Sequence, residues 1–215
     1  MISTKIAYTI IPSPNHNLPG HPESPDRFQH FHKLSQAPFS EQLILIDPQV
    51  APQSAVTAIH PPAYLEALEQ AAARGPGFVD QGDTYVTPAS YQAAIEAAGG
   101  AIAIVNAVTE GRARSGFALV RPPGHHASAT RASGFCLMNN LAIATCHAQS
   151  LGFHRVMIID FDVHHGNGTQ DLFEQDPSVL YLSTHQSSIY PGTGGLNEVG
   201  RGEGTGSVVN IPLPP

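Results

Sequence analysis

Tryptophan is absent from this 215-residue sequence, cysteine occurs only at Cys136 and Cys146, and lysine and arginine together number 10. Each shortage closes off a class of answer. A pair of cysteines cannot build a disulfide framework or a four-thiolate zinc site, which fits a reducing compartment. Against 17 acids and a formal charge of −7, the scattered cations leave no basic stripe for nucleic acid or an anionic membrane. Residues 1–14 lack a continuous apolar core of signal-peptide length, and no later run approaches the roughly 18 apolar residues of a membrane span. The expectation is a cytoplasmic protein with no nucleic-acid or membrane partner.

Histidine is plentiful instead, with 12 residues, so imidazole chemistry is well supplied. At this length one domain spanning 1–215 is the default. Apolar patterning predicts strands at 5–11, 43–46, 117–120, 156–159, 179–183 and 208–211. It predicts helices at 25–34, 54–59, 63–74, 89–110, 139–150 and 170–174, with Gly99-Gly100 as a close-packing point in the longest. Strands alternating with helices give an α/β fold, a doubly wound and mostly parallel sheet. There is no Gly-x-Gly-x-x-Gly between a strand and a helix and no Gly-Lys-Ser/Thr, so nucleotide binding has little support.

The chain is organised around residues 156–169, Val-Met-Ile-Ile-Asp-Phe-Asp-Val-His-His-Gly-Asn-Gly-Thr. The four apolar residues read as a strand buried on both faces. Side-chain alternation puts Asp160, Asp162 and His164 on one side and Phe161 and Val163 on the other. Two carboxylates at i and i+2 would repel each other in a low-dielectric pocket, so a divalent metal is their simplest partner, and aspartate with histidine suits zinc. One Asp-x-His alone would be read as a solvated loop. The longer pattern at a strand end is a candidate site.

A second cluster, Arg121-Pro-Pro-Gly-His125-His126, follows the strand at 117–120. Rigid backbone ahead of paired imidazoles implies placement. One ring can take a proton from an attacking water while the other holds or returns one, the arrangement of metal-assisted hydrolysis.

These clusters occur together with Gly134-Phe135-Cys136, Asn139-Asn140, His21-Pro-Glu-Ser-Pro-Asp-Arg27, Asp83-Thr-Tyr, Ser183-Thr-His, Pro191-Gly-Thr-Gly and Asn210-Ile-Pro-Leu-Pro. The set resembles the zinc-dependent histone deacetylase family of the arginase/deacetylase superfamily, in the class II-like branch with bacterial acetoin-utilisation and acetylpolyamine amidohydrolase proteins. The resemblance implies a three-layer α/β fold and removal of acetyl or other acyl groups from lysine side chains, amines or polyamines. It implies one Zn2+ held by Asp162 and His164, and a catalytic His125–His126 pair oriented by Asp160 and Asn167. Asp160, Asp162, His164, Ser183 and Thr184 match a structural K+ site, partly through backbone carbonyls. Asp83 matches the carboxylate that holds the substrate backbone, and Gly134, Phe135 and Tyr190 match the acyl-lysine tunnel, whose second aromatic wall is more often Phe.

A catalytic zinc normally has three protein ligands, and only two match here. The family's third ligand, an Asp, and its oxyanion-stabilising Tyr lie downstream of the Pro-Leu-Pro segment. The sequence is therefore read as roughly the N-terminal two-thirds of one deacetylase domain, missing its last strands and helices, inactive alone and prone to associate through uncovered sheet edge. Asp171, Glu174, Asp176, His185, Glu198 and Glu203 are the residues that could substitute as third ligand. Rival readings are a non-catalytic acyl-lysine-binding remnant and a two-manganese ureohydrolase. The latter needs a further Asp where Gly166 stands.

Overall fold

In the computed structural model, which describes residues 3–215, the strands form two parallel three-stranded sheets. β1 (Ile6–Ile11) lies between β2 (Leu43–Leu45) and β5 (Ser115–Val120), while β7 (Val179–Gln186) lies between β6 (Val156–Asp160) and β8 (Val208–Leu213). The register sets Asp160 beside Ser183 and Ser183 beside Asn210. A two-residue antiparallel pair, β3 (Gly77–Phe78) and β4 (Tyr85–Val86), braces a segment that patterning leaves as loop.

Among the described residues five α-helices connect these strands: α1 (Gln53–Thr57), α2 (Pro62–Arg74), α3 (Ser90–Thr109), α4 (Asn140–Ser150) and α5 (Asn167–Phe173). Pro62 occupies the first turn of α2, and the Asn139 side chain caps α4 by accepting from the Ala142 N–H at 3.0 Å. The Gly99-Gly100 pair of α3 packs as expected. A Cβ on Gly100 would stand 2.7 Å from Ile11 Cδ1 and 2.9 Å from Val120 Cγ1. With mean hydropathy 1.2, α3 is long and apolar enough to cross a membrane, contrary to the expectation that no stretch qualifies. Its small residues bury half of it against the rest of the fold, Ala94, Ala97 and Ala98 completely.

Two further expectations change. Residues 25–34 form two separate 3-10 turns, Pro25–Phe28 and Phe31–Gln36, and the first has no buried residue to anchor a longer helix. β6 is an edge strand rather than one buried on both faces: Met157 is 52% and Ile159 56% exposed. An apolar run marks a strand's neighbourhood but does not supply the element that covers it. Among the described residues no strand pairs with the outer edges of β5 and β6, and a cleft of about 510 Å³ runs between Val120, Leu141, Ile159 and Phe161. Exposed apolar edges of this kind recruit other chains. Residues 1–215 are accordingly expected to run above their 22.7 kDa monomer mass by light scattering at micromolar concentration. A sharp monomer peak would contradict this.

Candidate active site

The strand β5 delivers its chain into Arg121-Pro-Pro-Gly, and the Asn140 amide ties that segment down by donating to the Pro122 carbonyl at 3.0 Å. His125 and His126 follow, with ring centroids 4.0 Å apart. His125 Nδ1 lies 3.0 Å from Asp160 Oδ2, and the same oxygen is 3.1 Å from the Tyr181 hydroxyl. Burial pushes the Asp160 carboxyl up, but hydrogen bonds from His125, Tyr181 and the Asp162 N–H outweigh it, so the carboxyl stays below its usual range. An ionised Asp160 fixes the His125 proton on Nδ1 and leaves Nε2 open.

His126 has a different partner. Its Nδ1 is 2.8 Å from Asn167 Oδ1 at the start of α5. An amide oxygen only accepts, so the His126 proton also sits on Nδ1. Burial, then the neighbouring His125 ring, lowers the His126 pKa to about 4 despite the opposing bond to Asn167. At neutral pH the ring is neutral, with a free lone pair on Nε2.

The strand ends at Asp160, earlier than side-chain alternation requires, and the following chain turns. Asp160 Oδ1 accepts from the Asp162 N–H at 3.2 Å, and Asp162 Oδ1 accepts from the His164 N–H at 2.8 Å. This corrects the single-face expectation: Asp160 goes behind His125, whereas Asp162 and His164 line the cavity together. Asp162 Oδ1 and His164 Nδ1 are 3.3 Å apart and partly exposed, a carboxylate–imidazole pair that suits zinc. Among the described residues no group of three His, Cys, Asp or Glu stands ready to hold a metal. His185 bonds the Ser183 hydroxyl and the Gly194 carbonyl, Asp176 caps Ser178, and Asp171, Glu174 and Glu198 line another cavity. None of these, nor the exposed Glu203, serves as a substitute ligand.

The cavity holds about 450 Å³ and gathers Asp83, His125, His126, Gly134, Phe135, Asp162, His164 and Tyr190. Tyr190 stands edge-on to His126 at 4.9 Å. Gly134 (φ +53°) and Phe135 (φ +70°) form the tip of a tight turn whose flanking residues, Ser133 and Cys136, exchange backbone hydrogen bonds of 3.1 and 2.9 Å. Two positive φ angles in a two-residue tip are the mirror-image turn that matches strand twist. Of the residues matched to a K+ site, Asp160 and Ser183 are neighbours across β6 and β7, and the Ser183 hydroxyl is engaged with His185 at 2.9 Å.

Gly166 shows how tightly the histidine–carboxylate pair is packed. A Cβ there would stand 2.6 Å from Tyr181 Oη, 3.0 Å from His125 Nδ1, and nearer still to Asp160 Oδ2. Gly166→Ala is expected to lower folding stability by about 1–3 kcal/mol, the usual effect of forcing extra volume into a filled site. An unchanged urea midpoint in the variant would contradict this.

Sequence reading missed what stands behind the site. Arg121 is 0% and Glu23 1% exposed, and the two form a bidentate pair with N–O distances of 2.5 and 2.7 Å. The same guanidinium also donates to the carbonyls of Pro12, Ser13 and His16, so it clamps the loop at 12–25 to the end of β5. The signal was an arginine at the head of a Pro-Pro-Gly-His-His run together with a glutamate in a His- and Pro-rich loop, but nothing local pairs them.

Comparison with known proteins shows the family of the chain. A family profile described as "Histone deacetylase domain" matches residues 21–215. The chain belongs to the histone deacetylase family. It is 40% identical to "Histone deacetylase 10, chloroplastic" of Oryza sativa subsp. japonica, a match over 97% of this chain and 51% of that protein. It is 42% identical to a "Probable deacetylase" of Archaeoglobus fulgidus over 92% of this chain and 55% of that one, and 38% identical to human "Polyamine deacetylase HDAC10" over 84% and 29%. The solved HDA15 HD domain superposes with a TM-score of 0.90 at 38% identity, over 97% of this chain and 62% of that one. The chain thus spans about half the length of the first two relatives.

Proposed function

We propose that this chain carries most of the active site of a zinc-dependent amidohydrolase that removes acetyl or related acyl groups from lysine side chains or small acetylated amines. The observation that supports it most is the His125–His126 pair, each ring held through Nδ1, facing Asp162 and His164 across one cavity. Asp162 and His164 would hold the metal, and a bound zinc supplies an acidified water and polarises the amide carbonyl. His126 Nε2, neutral at physiological pH, accepts the proton of the attacking water. The same Nε2 then returns that proton to the leaving amine, while His125, its Nδ1 proton held by Asp160, accepts a hydrogen bond from the attacking water through Nε2 and orients it. Phe135 and Tyr190 flank the acyl-lysine stem, and Asp83 holds the substrate backbone. The K+ assigned to Asp160, Asp162, His164, Ser183 and Thr184 belongs to the same reading, as does the single domain over 1–215.

With two matching ligands, a third must come from outside the described residues, and the open β5 and β6 edges are where further strands would lie. This is also why a non-catalytic acyl-lysine binder is the second reading for residues 1–215 alone. A two-manganese site fits poorly, because a side chain at Gly166 would collide with Asp160 and Tyr181.

The test compares residues 1–215 with a chimera that joins them to the unmatched remainder of the solved relative. The shorter form is expected to lose zinc on dialysis and release little acetate, and the chimera to hold one zinc and hydrolyse an acetyl-lysine peptide or an acetylated polyamine. Stoichiometric zinc with robust turnover in the shorter form would overturn the two-ligand limit. A zinc-loaded chimera inert toward every acyl amide would overturn the function.

A further inference from the structure

We infer that Thr84 is a positioning residue that fixes the Phe135 wall of the cavity to the loop bearing Asp83. The acyl-selectivity part of this inference rests on the proposed function, while the geometry does not. In the turn at Ser133–Cys136 the two flanking residues bond each other, so the Phe135 N–H has no partner within the turn. It donates instead to Thr84 Oγ1 at 3.1 Å. Thr84 is fully buried, and its hydroxyl proton goes to Asp80 Oδ2 at 2.6 Å. Asp80 Oδ1 in turn accepts from the Gly82 and Thr84 N–H groups at 3.1 and 2.9 Å, which sets the shape of the loop. One hydroxyl therefore acts as acceptor toward the wall and donor toward the loop.

A second tether runs in parallel. His21 Nε2 donates to the Asp83 carbonyl at 2.9 Å, its Nδ1 accepts from the Glu23 N–H at 3.1 Å, and the ring packs edge-on against Phe135 at 4.9 Å. The His21 ring holds the Phe135 side chain, and the Thr84 hydroxyl holds its backbone. The backbone tether matters because Phe135 lies at φ +70°, the left-handed region that residues with a Cβ rarely adopt. Without an acceptor for its N–H, the turn is free to relax and the wall moves.

Thr84→Val keeps the side-chain shape and deletes both hydrogen bonds, whereas Thr84→Ser keeps them. In residues 1–215, hydrogen exchange at the Phe135 amide is expected to quicken about five- to tenfold in Thr84→Val, the effect of one lost neutral hydrogen bond. Exchange in β7 should stay unchanged, and Thr84→Ser should match the parent. In the chimera, the kcat/KM ratio of acetyl-lysine to butyryl-lysine should shift in Thr84→Val through KM more than kcat and return in Thr84→Ser. If Thr84→Val does not fold, Asp80→Asn supplies the same reading by weakening the hydroxyl's acceptor. Unchanged Phe135 exchange in a folded variant, or equal changes in Thr84→Val and Thr84→Ser, would overturn the inference. A parent chimera inert on both acyl-lysines would count against the proposed function alone, since the exchange measurement stands without turnover.

Discussion

Glu23→Ala is expected to lower folding stability by about 3–5 kcal/mol, because it leaves the Arg121 guanidinium buried without its counter-charge. The pair lies 98 residues apart in sequence, and both partners are shut off from water. Removing Arg121 as well should not restore the loss. Its donors also satisfy three carbonyls of the loop at 12–25, which a hydrophobic replacement would strand. Acid should show the same interaction. Burial pushes the Glu23 carboxyl up, yet the His16 ring 3.4 Å away and the bidentate Arg121 guanidinium hold it at about 2, against 4.5 when unfolded. A depressed carboxylate stabilises the fold above its unfolded pKa and loses that contribution as pH falls through its folded one. The parent protein should therefore lose about 3 kcal/mol from this group between pH 4.5 and 2. Urea titrations at several pH values check both effects, and a Glu23→Gln variant with an undiminished acid slope would contradict them.

That clamp marks the boundary of what the sequence conveys. Strand ends are legible because polar residues interrupt apolar runs, so His125, His126, Asp160, Asp162 and His164 stand out at once. Their division of labour was less visible. Where β6 stops depends on the capping of Asp162 by Asp160, and that turn separates the carboxylate behind His125 from the residues lining the cavity. Asn167 opens α5 three residues before patterning starts that helix, and this puts its amide against His126. The exposure of Met157 and Ile159 could not be read from an apolar run, because coverage of a strand is set by other segments. Buried histidines mislead in the other direction. His60 donates to the Ala129 carbonyl at 3.0 Å and accepts from the Asn139 N–H at 2.9 Å, a satisfied core residue whose type alone suggests chemistry.

In the zinc-loaded chimera, His126→Ala is expected to reduce kcat by about 10²- to 10⁴-fold, the range for removing a general base, with zinc content unchanged. Its partner decides how it works. Asn167 is neutral, so its bond orients the ring and favours protonation too little to offset burial and the adjacent His125 ring, which hold the pKa at about 4. A lowered histidine pKa means the base stays unprotonated as pH falls through 6.5, and the rate should fall only on approach to 4. Asn167→Asp places a carboxylate where the amide was and favours the protonated ring. The acidic limb of the kcat profile should then move upward, with little change at pH 8, while His125→Ala, which removes the neighbouring ring's share in holding that pKa down, should move the limb upward and also lower the plateau. An acidic limb that moves in His125→Ala and not in Asn167→Asp would exchange the roles of the two rings.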